Sequence, residues 1–116
     1  MKNLNYLFVA GFCLFMLSGF QLQNKHSEAK KLFTEEYNCN ECHGVKATHV
    51  KMLTKKKTDM GSDLSGFKSK NTFAEISAYV KKEANMDGKS HKKPFKGTDE
   101  ELQTILDWLG SLEAQE

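Results

Sequence analysis

Two cysteines separated by two residues and followed at once by a histidine, Cys39-Asn40-Glu41-Cys42-His43, leave this chain few folds to adopt. On one helical turn the two thiols point the same way, matched to the two vinyl groups along one edge of a porphyrin. The imidazole of the next residue then falls under the ring plane. A C-x-x-C-H run therefore reads as an attachment site for one c-type haem, with Cys39 and Cys42 forming thioethers and His43 binding iron on the proximal side. A covalent tether also removes the need for a deep preformed pocket, so a short chain suffices.

Three other uses of the same residues compete. A thioredoxin-like redox pair needs a preceding strand in a βαβ pattern, whereas residues 27–37 are rich in Glu and Lys and read as helix. A zinc site would take Cys39 and Cys42 with two of His43, His49 and His91, but no second C-x-x-C is present. A structural Cys39–Cys42 disulfide is the third. His49, in a lysine-rich stretch, reads as a solvated loop residue.

At 116 residues the chain is one domain at most. Residues 1–23 read as a leader: a charged start (Met1-Lys2-Asn3), an apolar run from Leu4 to Phe20, then polar residues. That is the pattern of a secretory signal peptide. No small-residue cleavage pair sits near Ser18-Gly19, so an uncleaved membrane anchor is the other reading. Cys13 counts as an apolar residue of this leader. Residues 24–116 form the domain, at a length where a core alone is marginal, and a haem would supply a large apolar centre. Export to the periplasm, or to the outer face of a bacterial cytoplasmic membrane, agrees with the motif, because c-type haem is generally attached outside the cytoplasm.

All seventeen basic side chains other than histidine are lysine. From Lys46 to Lys96 thirteen lysines stand against five acids, a local balance of +8, while from Gly97 to Glu116 six acids stand without a lysine, a balance of −6. Such a charge dipole steers an approaching partner; the alternative is an ordinary solvated face. With no arginine and few aromatics in the basic stretch, nucleic acid is not the expected partner.

Ser27 is placed to cap a first helix whose apolar stripe is Ala29, Leu32, Phe33 and Tyr37. Val45 to Thr58 reads as an irregular surface loop, and residues 60–67 as a turn anchored by Leu64 and Phe67. Thr72-Phe73-Ala74-Glu75 is a capping box that opens a helix with Phe73, Ile76 and Val80 on one face, ending near Asn85. The following loop turns at Asp87-Gly88 and carries two candidate axial ligands, Met86 and His91. A second capping box, Thr98-Asp99-Glu100-Glu101, opens a last helix with the stripe Leu102, Ile105, Leu106, Leu109 and Leu112. No strand pattern is present. The expected fold class is all-α, about three to five short helices with irregular loops around one covalently bound haem.

From Ala29 to Leu112 the chain resembles the class I monohaem c-type cytochromes. A helix bearing Phe33 leads into Cys39-x-x-Cys42-His43-Gly44, and Gly61-Ser62-Asp63-Leu64-Ser65-Gly66 is similar to the family's G-P-[ND]-L-x-G turn. A late loop then offers an axial ligand, and the last helix has the form T-D-E-E-L-x-x-I-L-x-W-L. The resemblance implies a small cytochrome c-like fold in which the first and last helices cross, with Phe33 or Tyr37 against Trp108 and Leu109. It also implies that the backbone carbonyl of Ser62, where the family usually has proline, accepts a hydrogen bond from the proximal histidine. The family generally uses methionine as sixth ligand. Here the distance ahead of Trp108 and the following Pro94-Phe95-Lys96-Gly97 align that position with His91, which is preferred over Met86. Ligation by two histidines implies a lower potential than His/Met ligation.

The function this implies is electron transfer in an exported respiratory or redox chain. Iron with both axial positions taken by protein cycles between ferric and ferrous and has no place for a substrate. Redox protein partners with acidic surfaces would meet a lysine-rich haem edge at residues 46–57 and 89–96. A haem-based small-ligand sensor with a weak distal ligand is the alternative, and a haem-free zinc-binding module a more distant one. Beyond the residues a haem would use, nothing supplies an acid/base pair or a nucleophile, so no enzyme activity is expected.

Overall fold

Residues 21–31 are dominated by good helix formers (Gln, Leu, Lys, Glu and Ala), and the computed structural model, which describes residues 21–114, has them as a continuous helix, α1. Ser27 lies inside α1 with its side chain exposed, so it is not the cap expected of it. The expected leader falls on residues 1–23, of which 1–20 lie outside the described residues. Among the described residues no helix is long and apolar enough to cross a membrane.

α1 widens at its end into a π turn, Leu32–Glu36, closed by the Tyr37 N–H donating to the Leu32 carbonyl at 3.0 Å. Asn38 follows in the left-handed conformation with φ 51°, which stops the helix and turns the chain into the cysteine motif. Three 3₁₀ turns, Cys39–Glu41, Lys46–Thr48 and Lys57–Asp59, punctuate the long connection to α2 (Phe73–Val80). The last element is α3 (Asp99–Ser111). Among the described residues there is no strand, only the isolated antiparallel bridges Val45–Val50 and Met86–Lys89. The all-α class read from the sequence is the class observed.

Phe33, 1 % exposed, meets Trp108, 3 % exposed, edge to face with ring centroids 5.8 Å apart and planes at 68°. This is the expected contact of first and last helices, worth about 0.5–1.5 kcal/mol beyond the area it buries. Ala29, Leu32, Ile105 and Leu109 complete the helical part of the core. Val45 and Val50 join it, against the expectation of a surface loop. They exchange both backbone bonds (Val45 N–H to Val50 carbonyl 2.9 Å, the reverse 3.1 Å), so the loop closes on itself with its two valines inward and Lys46 outward. Leu64 and Phe67 pack half-buried against the same core, and the Gly66 N–H donates to the Leu109 carbonyl at 2.9 Å.

Both capping boxes form. Thr72 Oγ1 accepts from the Glu75 N–H while the Glu75 carboxylate accepts from the Thr72 N–H, and Thr98 and Glu101 repeat the pattern. Each is worth about 1 kcal/mol. α2 ends at Val80 rather than near Asn85. Lys82 takes the left-handed position (φ 62°) that glycine usually marks. The Val80 carbonyl is satisfied from outside the helix, by the Phe95 N–H at 2.8 Å. α2 leans on the start of α3 through Asp99, which accepts from the Ser77 hydroxyl at 3.2 Å and from Lys81 Nζ at 2.6 Å.

Candidate haem-binding site

The motif is wound as tightly as its chemistry asks. The Cys42 and His43 N–H groups both donate to the Cys39 carbonyl, at 3.2 and 3.0 Å, so the three side chains leave one compact turn. Neighbouring backbone holds that turn from outside. The Leu53 N–H donates to the Asn40 carbonyl and the Thr54 N–H to the Glu41 carbonyl, both at 2.9 Å, and the Gly61 N–H donates to the Cys42 carbonyl at 2.7 Å.

His43 is fixed from its far side. Its Nδ1 lies 2.8 Å from the Ser62 carbonyl. A carbonyl only accepts, so Nδ1 carries the hydrogen and Nε2 the lone pair. The bond that the resemblance implied at position 62 therefore survives the change from proline to serine. Gly61 makes the approach feasible: a Cβ built there would lie 2.3 Å from His43 Cε1.

The late loop brings His91 to the same place. The His43 and His91 ring planes are within 8° of parallel, with centroids 6.3 Å apart. His91 repeats the arrangement of His43, its Nδ1 donating to the Lys93 carbonyl at 2.6 Å, which again leaves the lone pair on Nε2. Tyr79 of α2 presents its ring to His91 at 72° and 5.3 Å. Burial pushes the His91 pKa below the ordinary histidine range, and nearby His43 and Lys82 push the same way against the Lys93 hydrogen bond. The neutral imidazole is the form that binds metals. Met86 is placed differently: it pairs through its backbone with Lys89 at the Asp87-Gly88 turn, and its sulfur accepts from Asn71 Nδ2 at 3.3 Å.

The base of the loop is anchored on the end of the first helix. Tyr37 and Phe95 pack with centroids 4.6 Å apart, and Gly97 passes so near that a Cβ there would lie 2.5 Å from Phe95 Cζ and 2.6 Å from Tyr37 Cζ.

The competing uses of these residues fare less well. Burial pushes the Cys39 thiol up to about 11; its backbone hydrogen bond pulls it part of the way back and Cys42 adds a smaller push upward, the opposite of a reactive redox cysteine. The two thiols are not bridged. Among the described residues no group of three or more His, Cys, Asp or Glu side chains is arranged to hold a metal ion, and His49 is exposed, as expected of a loop histidine. Two thiols on one turn and two parallel imidazoles, each with a free Nε2, are instead a donor set that fits a covalently attached haem.

The family model for cytochrome c matches residues 27–113. The chain belongs to the cytochrome c family. Cytochromes of this family carry covalently bound haem c and are in general electron carriers, and Cys39 and Cys42 fit the attachment motif. No curated protein and no solved structure matches the chain.

Some of the cytochrome's site residues carry no signal in the sequence. Glu41 and Asp59, ion-paired to Lys93 and Lys92, look like ordinary surface acids. The Lys93 carbonyl is a backbone group and leaves no mark on residue type. Gly61 is the exception, since it opens the segment 61–66 on which the resemblance partly rested.

Proposed function

We propose that this cytochrome passes single electrons through one covalent haem, tethered at Cys39 and Cys42 and held axially by His43 and His91, in an exported respiratory or redox chain. The observation that carries this reading is the imidazole pair, nearly parallel with centroids 6.3 Å apart and each braced at Nδ1 by a backbone carbonyl. When bound, the haem supplies a ferric/ferrous couple. His43 and His91 are the residues that would hold its iron, and the carbonyl on each Nδ1–H would raise the basicity of the donating Nε2. The engagement of the Met86 sulfur by Asn71 supports His91 over Met86.

Export is part of this proposal, supported by the apolar run from Leu4 to Phe20 and by the attachment chemistry. So is an acidic redox partner. Lys92 and Lys93 are engaged in ion pairs within the chain, which leaves the exposed Lys46, Lys51, Lys55, Lys57, Lys89 and Lys96 to meet it. Leu53 and Met60, 61 % and 48 % exposed, add apolar contact next to backbone bonded to the motif turn.

The deciding experiment is optical and potentiometric. Protein purified from a host that matures c-type cytochromes is expected to keep its c-type reduced spectrum through acid-acetone extraction. Its oxidised spectrum is expected to lack the far-red band of methionine-ligated ferric haem. His91→Met is expected to raise the midpoint potential, because a thioether favours ferrous iron. A far-red band in the wild type, or no rise in the variant, overturns His91; a colourless protein overturns the whole reading.

A further inference from the structure

The loop that carries His91 is tied down by two ion pairs, one to the attachment motif and one to the segment leading into Gly61. Lys93 Nζ pairs with the carboxylate of Glu41, which lies between the two cysteines. Lys92 Nζ lies 2.8 Å from Asp59, just ahead of Gly61, and Lys56 approaches the same carboxylate at 4.0 Å. Neither loop pair is local, since 52 and 33 positions of sequence separate the partners. Lys93 is attached at both ends: its side chain reaches the motif while its carbonyl accepts the Nδ1–H of His91. Between the Lys89 turn and the Phe95 N–H bond to Val80, the loop backbone gains one further tie, from Lys82 Nζ to the Lys92 carbonyl at 3.4 Å. The two ion pairs thus join the Tyr79 ring contact and the Lys93 carbonyl in holding the His91 ring opposite His43, and they are the ties that run from the loop's side chains to the attachment region. The paired lysines are 58 % and 67 % exposed, so both contacts are open to screening by salt.

We propose that Lys92 and Lys93 are positioning residues for His91: their pairs with Asp59 and Glu41 form a salt-sensitive latch that sets how often the distal position opens to a small neutral ligand. This rests on His91 being the distal ligand. With haem bound, opening would free the His91 Nε2 lone pair and leave a position that a neutral ligand such as carbon monoxide could take. No electron is transferred and no proton moves. Loosening at Lys92 and Lys93 frees the segment between its outer supports at Lys89 and Phe95, so that the ring can turn out of its contact with Tyr79. Exposed ion pairs hold weakly one at a time, so opening is expected to rise roughly two- to fivefold for each pair removed.

The test is the rate at which carbon monoxide binds the ferrous holoprotein, followed optically at low and at high salt. The loop-side variant Lys92→Gln/Lys93→Gln leaves the motif and both histidines untouched. It is expected to bind roughly tenfold faster than wild type at low salt. High salt should bring the wild type toward the variant and leave the variant unchanged. Reversing one pair, with Lys92→Glu and Asp59→Lys together, should restore slow binding relative to Lys92→Glu alone. His91→Ala is the reference for an open site and should bind fast at any salt. If His91→Ala is fast while the double variant matches wild type at both salts, the latch is overturned. If His91→Ala binds no faster than wild type, it is the ligand assignment that fails.

Discussion

Gly61 and His43 touch so closely that a Cβ on the glycine would sit 2.3 Å from the imidazole Cε1 and 2.5 Å from Nδ1. The backbone runs flat against the ring, and the next carbonyl, that of Ser62, takes the Nδ1 hydrogen. Gly61→Ala must therefore tilt the ring or push the segment away, at a cost of about 1–3 kcal/mol as for an overpacked core. The expected outcome is lower stability in guanidinium denaturation together with a shifted midpoint potential. An unchanged potential would mean that the ring's orientation does not depend on this contact.

The aromatic pair between first and last helices is expected to dominate the stability of the domain. Phe33→Ala and Trp108→Ala should each cost about 3–5 kcal/mol. Because the rings meet edge to face, the double variant should cost about 0.5–1.5 kcal/mol less than the two single costs added together. Denaturant titration of the four proteins measures the difference directly.

Stability should fall at both ends of the pH scale through one hydrogen bond. The Glu101 carboxylate accepts from the Tyr37 hydroxyl at 2.6 Å as well as from Thr98. That bond is the main reason the Glu101 carboxyl titrates below its ordinary value, and it pushes the Tyr37 phenol from 10.0 up to about 12. The tyrosine contribution, with its folded pKa raised, is complete below pH 10 and is lost as pH rises from 10 through about 12. The glutamate contribution, with its folded pKa lowered, is complete above the ordinary carboxylate value and is lost as pH falls through the folded one. The stability difference between wild type and Tyr37→Phe should thus be flat near neutrality and shrink toward both extremes.

Electron exchange with an acidic redox partner should slow steeply as salt is raised. Charge reversal at Lys51, Lys55 or Lys57 should flatten that dependence. Neutralising Lys92 or Lys93 should flatten it less, because their charges are already met within the chain. Stopped-flow rates across a salt series decide between a docking face and a merely solvated one.

What the sequence disclosed was mostly what short-range chemistry encodes. The C-x-x-C-H turn, both capping boxes and the α3 stripe each lie within a few residues of one another, so local rules suffice to find them. Phe33 against Trp108 was legible only because the order of motifs resembles a known family. The π turn at Leu32–Glu36 was not legible, because the same residues would also continue an α-helix. Val45 and Val50 were hidden by the lysines around them, and only the closing of their loop turns them inward. The end of α2 was overshot because lysine, not glycine, occupies the left-handed position at 82. The Glu41–Lys93 and Asp59–Lys92 pairs join residues far apart in sequence, and no pattern of charge along the chain singles them out.

Both imidazoles are braced by main-chain oxygen, His43 by residue 62 and His91 by residue 93. Every amino acid carries that oxygen, so no exchange of side chain at either position deletes the brace chemically. Only a change in the path of the chain can do so. The electronic character of the two imidazoles is thus written in geometry rather than in residue identity. The two braces are therefore insensitive to residue type in themselves and vulnerable instead to insertions, to deletions and to any added bulk that moves the backbone by a fraction of an ångström.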